Sequence, residues 1–299
     1  MPAPDAPADG LVVVDKDGGW TSHDVVARCR RLAGTRKVGH AGTLDPMATG
    51  VLLIGVGRAT RLLGHLALTD KSYAATVRLG ITTDTDDAEG SVVSRADAGV
   101  VPAGALEPAL AALRGTIDQV PSAYSAVSVG GVRAHAAARA GAPLTLPSRR
   151  VTVTELTVCR SRQKAVAGAG VLDVDLRVTC STGTYVRALA RDLGAALGVG
   201  GHLTSLRRTR VGPFTLDGAR TLAALAGAWS VLPLAAVVAA AFPRREADLQ
   251  ETGALRVGRP LPVTGVAGPV GAFAPDGTLL ALLADRDGKA RPLVVFAPA

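Results

Sequence analysis

Residues 36–63 read RKVGHAGTLDPMATGVLLIGVGRATRLL, and they place His40, Asp45 and five glycines around a single proline before an apolar segment. An aspartate that precedes proline commonly starts a turn, because its carboxylate bonds the nearby backbone. A lone loop histidine is more often packed or exposed than catalytic. Taken alone, the stretch therefore favours structural roles for Asp45 and His40.

The same stretch contains GVGRAT (55–60), which resembles part of a phosphate-binding loop. Thr60 stands where the third glycine of a dinucleotide motif belongs, and no Gly-Lys-Ser/Thr follows. The chain also lacks a His-Glu-x-x-His motif and an ordered Ser-His-Asp set. Nucleotide binding, zinc hydrolysis and acyl transfer are not indicated.

The flanking residues show clear periodicity. They predict strands at 11–16, 51–57 and 71–80, a helix at 21–33 and helical structure at 58–68. The Asp45 loop therefore leads directly into a core strand.

Further along, alternation predicts strands at 149–162, 170–183 and 202–214, with helices at 106–117 and 184–198. Residues 125–141 predict a strand, a Gly130-Gly131 turn and a short basic helix. Beyond residue 243, short strands separated by Asp-Gly turns predict a small β-rich module. The acidic segment ITTDTDDAEG (81–90) fails the calcium-loop pattern and is expected to be a solvated loop.

Composition restricts the class of protein. The 299 residues are 48% hydrophobic and 19% charged, with a net charge of +8, which suits a globular protein and favours a polyanionic partner. Only five of the 33 basic residues are lysines, so GC-rich coding is an alternative source of the arginines. Three widely spaced cysteines indicate neither disulfides nor zinc, and fit a reducing cytoplasm.

Two segments bear on targeting. The first ten residues, MPAPDAPADG, lack a signal-peptide pattern and predict a disordered tail. Residues 221–243 carry no charge over a length that could span a membrane, but Pro233 interrupts them. Two short buried helices are the expected structure.

The long string GHAGTLDPMATGVLLIGVGRATRLL (39–63) resembles the signature of the TruB family of tRNA pseudouridine synthases. The resemblance continues in family order through DKSYAATVRLGITTDTDDAEG, QVPSAYSAVSVGGVRAHAAARAG and VTCSTGTYVRALARDLGAALGVGGHLTSLRRTRVGPF, covering roughly residues 11–216. It implies an α+β fold: a catalytic domain on a mixed, largely antiparallel sheet flanked by helices, plus a small C-terminal β-rich PUA-like domain.

The resemblance also implies an activity, the isomerisation of one uridine in the T loop of tRNA to pseudouridine, without a cofactor or metal. By resemblance, Asp45 is the catalytic aspartate, attacking C1′ of the ribose or assisting formation of a glycal. Arg187 matches the arginine that pairs with this aspartate, and Tyr73 the tyrosine that stacks on the flipped base. By the same resemblance Arg187 and Tyr73 count as catalytic residues beside Asp45, with Tyr73 also acting on a proton. His40, Tyr185 and Leu206 match other substrate-binding positions.

Seven basic residues are candidate contacts to the RNA backbone: Lys16, Arg133, Arg149, Arg150, Arg207, Arg208 and Arg210. Lys16 falls on a family segment in which Asp17 stands where the family has proline, so the loop departs from the family pattern and Lys16 is expected to assist at most. The expected organisation is a tail (1–10), a catalytic domain (11–225) with an RNA-binding insertion near 120–150, a connecting helical segment (226–243) and the PUA-like domain (244–299).

The expected protein is a cytoplasmic monomer that binds the T arm of tRNA, with no membrane association and no evident protein partner. The alternative is a non-catalytic tRNA-binding or tRNA-folding factor with the same fold. A pure binder has no need of a buried carboxylate with a paired arginine, which argues against this alternative.

Overall fold

The structure is a computed structural model, and it describes residues 9–102 and 104–297. The fold is α+β, as predicted. The strands are β1 (Gly10–Lys16), β2 (Val38–Ala41), β3 (Thr49–Val56), β4 (Lys71–Leu79), β5 (Ile81–Thr83), β6 (Val92–Arg95), β7 (Gly115–Gln119), β8 (Ser128–Val129), β9 (Val132–Arg133), β10 (Arg149–Val166), β11 (Ala169–Cys180), β12 (Gly201–Val211), β13 (Phe214–Thr215), β14 (Leu232–Pro233), β15 (Arg244–Glu246), β16 (Val270–Phe273), β17 (Leu279–Arg286) and β18 (Lys289–Val295).

Helices lie between these strands. They are α1 (Ser22–Ala33), α2 (Leu63–Ala67), α3 (Leu106–Ala111), α4 (Ala134–Arg139), α5 (Val186–Ala196), α6 (Leu222–Gly227), α7 (Leu234–Ala241) and α8 (Leu249–Arg256). Short 3-10 turns occur at Gly57–Leu62, Ala98–Val100 and Leu216–Gly218. Across the described part of the chain, no helix combines the length and apolar character needed to span a membrane.

The chain forms two compact units. Of the described residues, the first unit comprises those within Met1–Asp45, Val51–Leu68 and Val211–Ala299, and the second comprises those within Pro46–Gly50 and Thr69–Arg210. Asp45 is thus one of two residues, with Leu68, after which the chain leaves the first unit.

In the first unit, β1 lies between β14 and β3, and β2 pairs antiparallel with β3. A second sheet has the order β15-β16-β17-β18. Both sheets contribute to one apolar core, which contains Leu11, Leu53, Val238, Phe273 and Leu282. The C-terminal β-rich region therefore shares a core with the N-terminal strands, and it includes the helix α8.

Two of the expected segments contain regular structure in this unit. Of the predicted tail, residues 1–8 lie outside the described residues, but Gly10 begins β1 and Asp9 forms an ion pair with Arg58. The predicted connecting segment supplies a strand as well as a helix, because Leu232 and Pro233 pair with the start of β1. The expected pair of short helices is confirmed by α6 and α7.

In the second unit, the strand order is β12-β4-β11-β10-β7, and the pairs from β4 to β7 are antiparallel. Strand β4 alternates between buried and less buried residues, as its sequence predicts. On its more polar face, the Arg78 guanidinium bonds the Asp173 carboxylate at 2.7 and 2.9 Å. These bonds, together with the Lys164 ammonium 2.9 Å from the same carboxylate, lower the pKa of Asp173 to about 2.

Gly50 shows why one glycine of the opening stretch is needed. Thr49 and Gly50 begin β3 and pair in parallel with Arg207 and Arg208 of β12. Gly50 has φ +99°, and a Cβ there would lie 2.2 Å from the Arg208 carbonyl oxygen. The glycine therefore permits a close strand approach that another residue would block.

Candidate active site

Asp45 lies in the loop between β2 and β3, and Pro46 and Met47, which follow it, form a turn. The carboxylate-bearing residue is half-buried, whereas Leu44 before it is buried. The turn predicted from the Asp-Pro pair is therefore present.

Ser22 fixes the backbone of this loop from α1. Its hydroxyl donates to the Leu44 carbonyl oxygen at 3.1 Å and accepts from the Leu44 N–H at 2.9 Å. Ser22 and Leu44 are both almost fully buried. The residue preceding Asp45 is thus held through both of its backbone polar groups.

His40 is on β2, opposite Ile54 of β3. Its ring meets the ring of His23 edge to face, with 5.6 Å between centroids. His40 therefore belongs to the first unit, like Asp45, and is half-buried.

Lys16, at the end of β1, is fully buried. Its ammonium donates to the carbonyl oxygens of Asp17 at 3.0 Å and Trp20 at 2.7 Å. These bonds fold the 17–20 loop around the lysine. The burial disfavours the predicted contact between Lys16 and an RNA phosphate.

In the second unit, Tyr73 and Leu206 lie on the neighbouring strands β4 and β12. Both are buried, with 7% and 6% of their surface exposed. Tyr73 occupies the less polar face of β4, in register with Val178 of β11. Both positions thus present apolar surface within the second unit.

Arg187 is in the first turn of α5 and is 5% exposed. Its guanidinium donates to the carbonyl oxygens of Thr85 and Tyr124, each at 2.9 Å, and lies 3.3 Å from an Asp87 carboxylate oxygen. A buried guanidinium held by three groups is fixed in both position and orientation.

The partners of Arg187 correct one prediction. The acidic segment 81–90 is not simply solvated, because Asp86 and Asp87 are 8% and 4% exposed. Asp86 accepts from the Ser122 hydroxyl at 2.6 Å and lies 3.4 Å from Arg191. Burial raises the pKa of Asp86. The two aspartates therefore pair with two arginines one helical turn apart on α5.

Tyr185 is the N-cap residue of α5, but its side chain makes no capping hydrogen bond. The carboxamide of Gln119, at the end of β7, accepts from the Tyr185 N–H at 2.8 Å and donates to the Tyr185 carbonyl oxygen at 3.2 Å. Gln119 is 2% exposed. The Tyr185 side chain packs against a small apolar cluster of Val127, Ala134 and Leu146 in the insertion.

The remaining predicted phosphate contacts differ in exposure. Arg133, Arg149 and Arg150 are exposed, Arg207 and Arg210 are half-buried, and Arg208 is only 1% exposed. Arg207 donates to the Thr49 hydroxyl at 3.2 Å, and Arg210 donates to the Ser72 hydroxyl at 3.2 Å. Exposed arginines can contact a phosphate, whereas the Arg208 side chain is buried inside the protein.

Sequence reasoning missed the polar residues that support the site: Ser22, Asp86, Asp87 and Gln119. The adjacent acids Asp86 and Asp87 could complement Arg187 and Arg191, which are four residues apart on a predicted helix, but about a hundred residues separate the two pairs, so no local pattern joins them. No local pattern marks Ser22 or Gln119 either, since each acts on a distant backbone.

Three family models together match most of the chain. TruB family pseudouridylate synthase, N-terminal domain, matches residues 30–186; tRNA pseudouridylate synthase B C-terminal domain matches 187–232; and tRNA pseudouridine synthase II, C terminal, matches 242–297. The chain also resembles two solved structures. These are the archaeal box H/ACA sRNP Nop10–Cbf5 complex (25% identity, TM-score 0.70, 98% of this chain and 88% of that chain) and an H/ACA RNP bound to a substrate RNA containing 2'-deoxyuridine (26%, 0.68, 97% and 85%).

Curated relatives match over almost their whole length. The proteins called tRNA pseudouridine synthase B from Thermobifida fusca and Streptomyces coelicolor are 59% and 57% identical, over 97% and 96% of this chain and 99% and 97% of theirs. A Nocardia farcinica protein of the same name is 56% identical over 98% of this chain and 94% of its own. The chain therefore belongs to the TruB family of pseudouridine synthases.

Proposed function

We propose that this protein isomerises uridine to pseudouridine at position 55 of tRNA. The observation that carries the proposal is the match, at 59% identity and nearly full length, to a relative called tRNA pseudouridine synthase B. The reaction breaks the bond between N1 of the base and C1′ of the ribose, and forms a bond between C5 and C1′. The hydrogen on C5 leaves as a proton and N1 gains one, so no redox cofactor is required.

Asp45 acts as the catalytic carboxylate, either by attacking C1′ or by assisting formation of a glycal. Its half-buried position before a turn suits both routes, because the carboxylate is restrained and yet reachable. Both routes need an ionised aspartate.

Arg187 supplies the fixed positive charge that an ionised catalytic carboxylate requires. Its burial, its bonds to the Thr85 and Tyr124 carbonyl oxygens and its ion pair with Asp87 support this role, because a restrained guanidinium loses little entropy when it acts. Tyr73 stacks on the flipped base, and Tyr185 and Leu206 line the pocket. His40 fills the space that the extruded base leaves in the loop.

The substrate element is the T arm of tRNA, recognised through its folded shape and splayed loop bases. Exposed Arg133, Arg149 and Arg150, with half-buried Arg207 and Arg210, contact phosphates. Buried Lys16 and Arg208 are poorly suited to that role.

The expected domain boundaries are retained as part of the proposal, with catalysis assigned to 11–225 and RNA binding by the insertion near 120–150. The β-rich segment 244–299 serves as a PUA-like RNA-binding domain. A monomeric state and a cytoplasmic location are proposed from the same family resemblance.

Tritium release tests the function directly. A T-arm hairpin with tritium on C5 of its target uridine loses label to water only when C5 bonds to C1′. We expect release by the wild type and by Asp17→Asn, a change of an exposed aspartate in the same unit. We expect no release by Asp45→Asn, which keeps the shape of the side chain but removes its charge.

Each outcome decides one point. Hairpin binding without tritium release by the wild type would support a non-catalytic tRNA-binding factor instead. Release by Asp45→Asn at the wild-type rate would remove Asp45 from the chemistry while leaving the activity intact.

A further inference from the structure

The hydroxyl of Ser22 is not needed to cap α1, although Ser22 is the first residue of that helix. Thr21 is the N-cap: its hydroxyl accepts from the Asp24 N–H at 3.1 Å, and the Asp24 carboxylate accepts from the Thr21 N–H at 3.0 Å. This reciprocal arrangement satisfies the helix end. Ser22 is therefore available for another contact.

That contact is with the loop of Asp45. The Ser22 hydroxyl accepts from the Leu44 N–H at 2.9 Å and donates to the Leu44 carbonyl oxygen at 3.1 Å. Leu44 is 4% exposed, so its backbone groups need partners inside the protein. A single hydroxyl, itself 1% exposed, serves both.

We propose that Ser22 is a positioning residue for the catalytic carboxylate of Asp45. The Leu44 carbonyl and the Asp45 nitrogen belong to one planar peptide unit, so fixing that carbonyl fixes the plane from which Asp45 projects. The inference rests on the proposed catalytic function of Asp45.

The geometry explains why such support is useful. Asp45 stands in a loop, and loops are less restrained than the strands and helices they connect. A reacting group must be held close to its productive position, and a displacement of about 1 Å can reduce a rate by about 100-fold. A buried hydroxyl from the first turn of a helix gives the loop a rigid anchor.

The test compares two adjacent hydroxyl deletions. Ser22→Ala removes the anchor of Leu44, whereas Thr21→Ala removes the helix cap and leaves that anchor in place. We expect Ser22→Ala to reduce the single-turnover rate of tritium release by about 10- to 100-fold, with unchanged affinity for the hairpin. Thr21→Ala should retain the wild-type rate. Ser22→Cys, which keeps a weaker donor and acceptor, should be intermediate.

Hydrogen exchange supplies a readout that does not depend on activity. The Leu44 amide should exchange faster in Ser22→Ala than in the wild type, and its exchange should be unaffected by Thr21→Ala. Thermal unfolding of both variants shows how much each loses in overall stability.

Three results would overturn the inference: a wild-type rate in Ser22→Ala, unchanged exchange of the Leu44 amide, or equal rate losses in both variants that follow their losses of stability. Failure of the proposed function looks different, because the wild type itself would then release no tritium while the exchange of Leu44 still responded to Ser22→Ala.

Discussion

Replacing Asp87 by asparagine should loosen Arg187 and slow the reaction. One Asp87 oxygen accepts from the Thr85 hydroxyl at 2.6 Å and the Glu89 N–H at 3.1 Å, and asparagine can keep both bonds with its own oxygen. Its NH₂ then stands where the other oxygen faces Arg187 at 3.3 Å. This NH₂ and the Arg187 guanidinium are both hydrogen-bond donors, so they cannot bond each other, and the ion pair is lost.

The size of the effect follows from burial. The side chains of Arg187 and Asp87 are 6% and 5% exposed, and removing one partner of a buried ion pair costs about 3–5 kcal/mol. In a chain of this size, that cost lowers Tm by about 5–8 °C. A displaced guanidinium should also lower the tritium-release rate by about 100-fold at temperatures where the variant remains folded.

Thermal unfolding and single-turnover tritium release measure the two effects separately. The matched control is Asp84→Asn, because Asp84 is an exposed aspartate of the same loop that bonds the Ser91 N–H at 2.8 Å. It should stay close to wild type, as most surface substitutions do. If Asp87→Asn were also like wild type in both measurements, the assigned restraint of Arg187 would be refuted.

Three other changes have expected outcomes. Gln119→Met removes both bonds to the start of α5, so a lower Tm and a slower single turnover are expected. Wild-type values for both would contradict a role for Gln119 in fixing the start of α5. Asp173→Asn should lose about 2 kcal/mol of stability near neutral pH, because Arg78 and Lys164 hold the pKa of Asp173 at about 2. In urea unfolding, the difference in free energy of unfolding between Asp173→Asn and the wild type should be fully present above pH 3.8 and should vanish as the pH falls towards 2. A difference independent of pH would contradict the lowered pKa of Asp173. Combined Arg149→Gln and Arg150→Gln should reduce the salt dependence of hairpin binding by about one unit of log–log slope per arginine, with little change in Tm, whereas an unchanged slope would argue against phosphate contacts.

Local patterns were sufficient for most secondary structure. The alternation of KSYAATVRLG predicted β4, and the cap and apolar spacing after Thr21 predicted α1, because both depend on neighbours in the chain. The Asp-Pro pair likewise predicted the turn after Asp45.

The supporting network could not be predicted in this way. Asp87 looked solvated because its arginine partner is a hundred residues away, and burial of a charge is unexpected without a known partner. Ser22 and Gln119 bond backbone groups of Leu44 and Tyr185, which carry no side-chain signal in the sequence. The long motif was enough to identify the family, whereas the contacts that restrain its residues could be seen only in the structure.

The most direct test of the account is tritium release from a C5-labelled T-arm hairpin by the wild type and Asp45→Asn, with equal hairpin affinity shown for both. The account predicts release by the wild type alone. Release by both proteins at the same rate, or by neither, would contradict it.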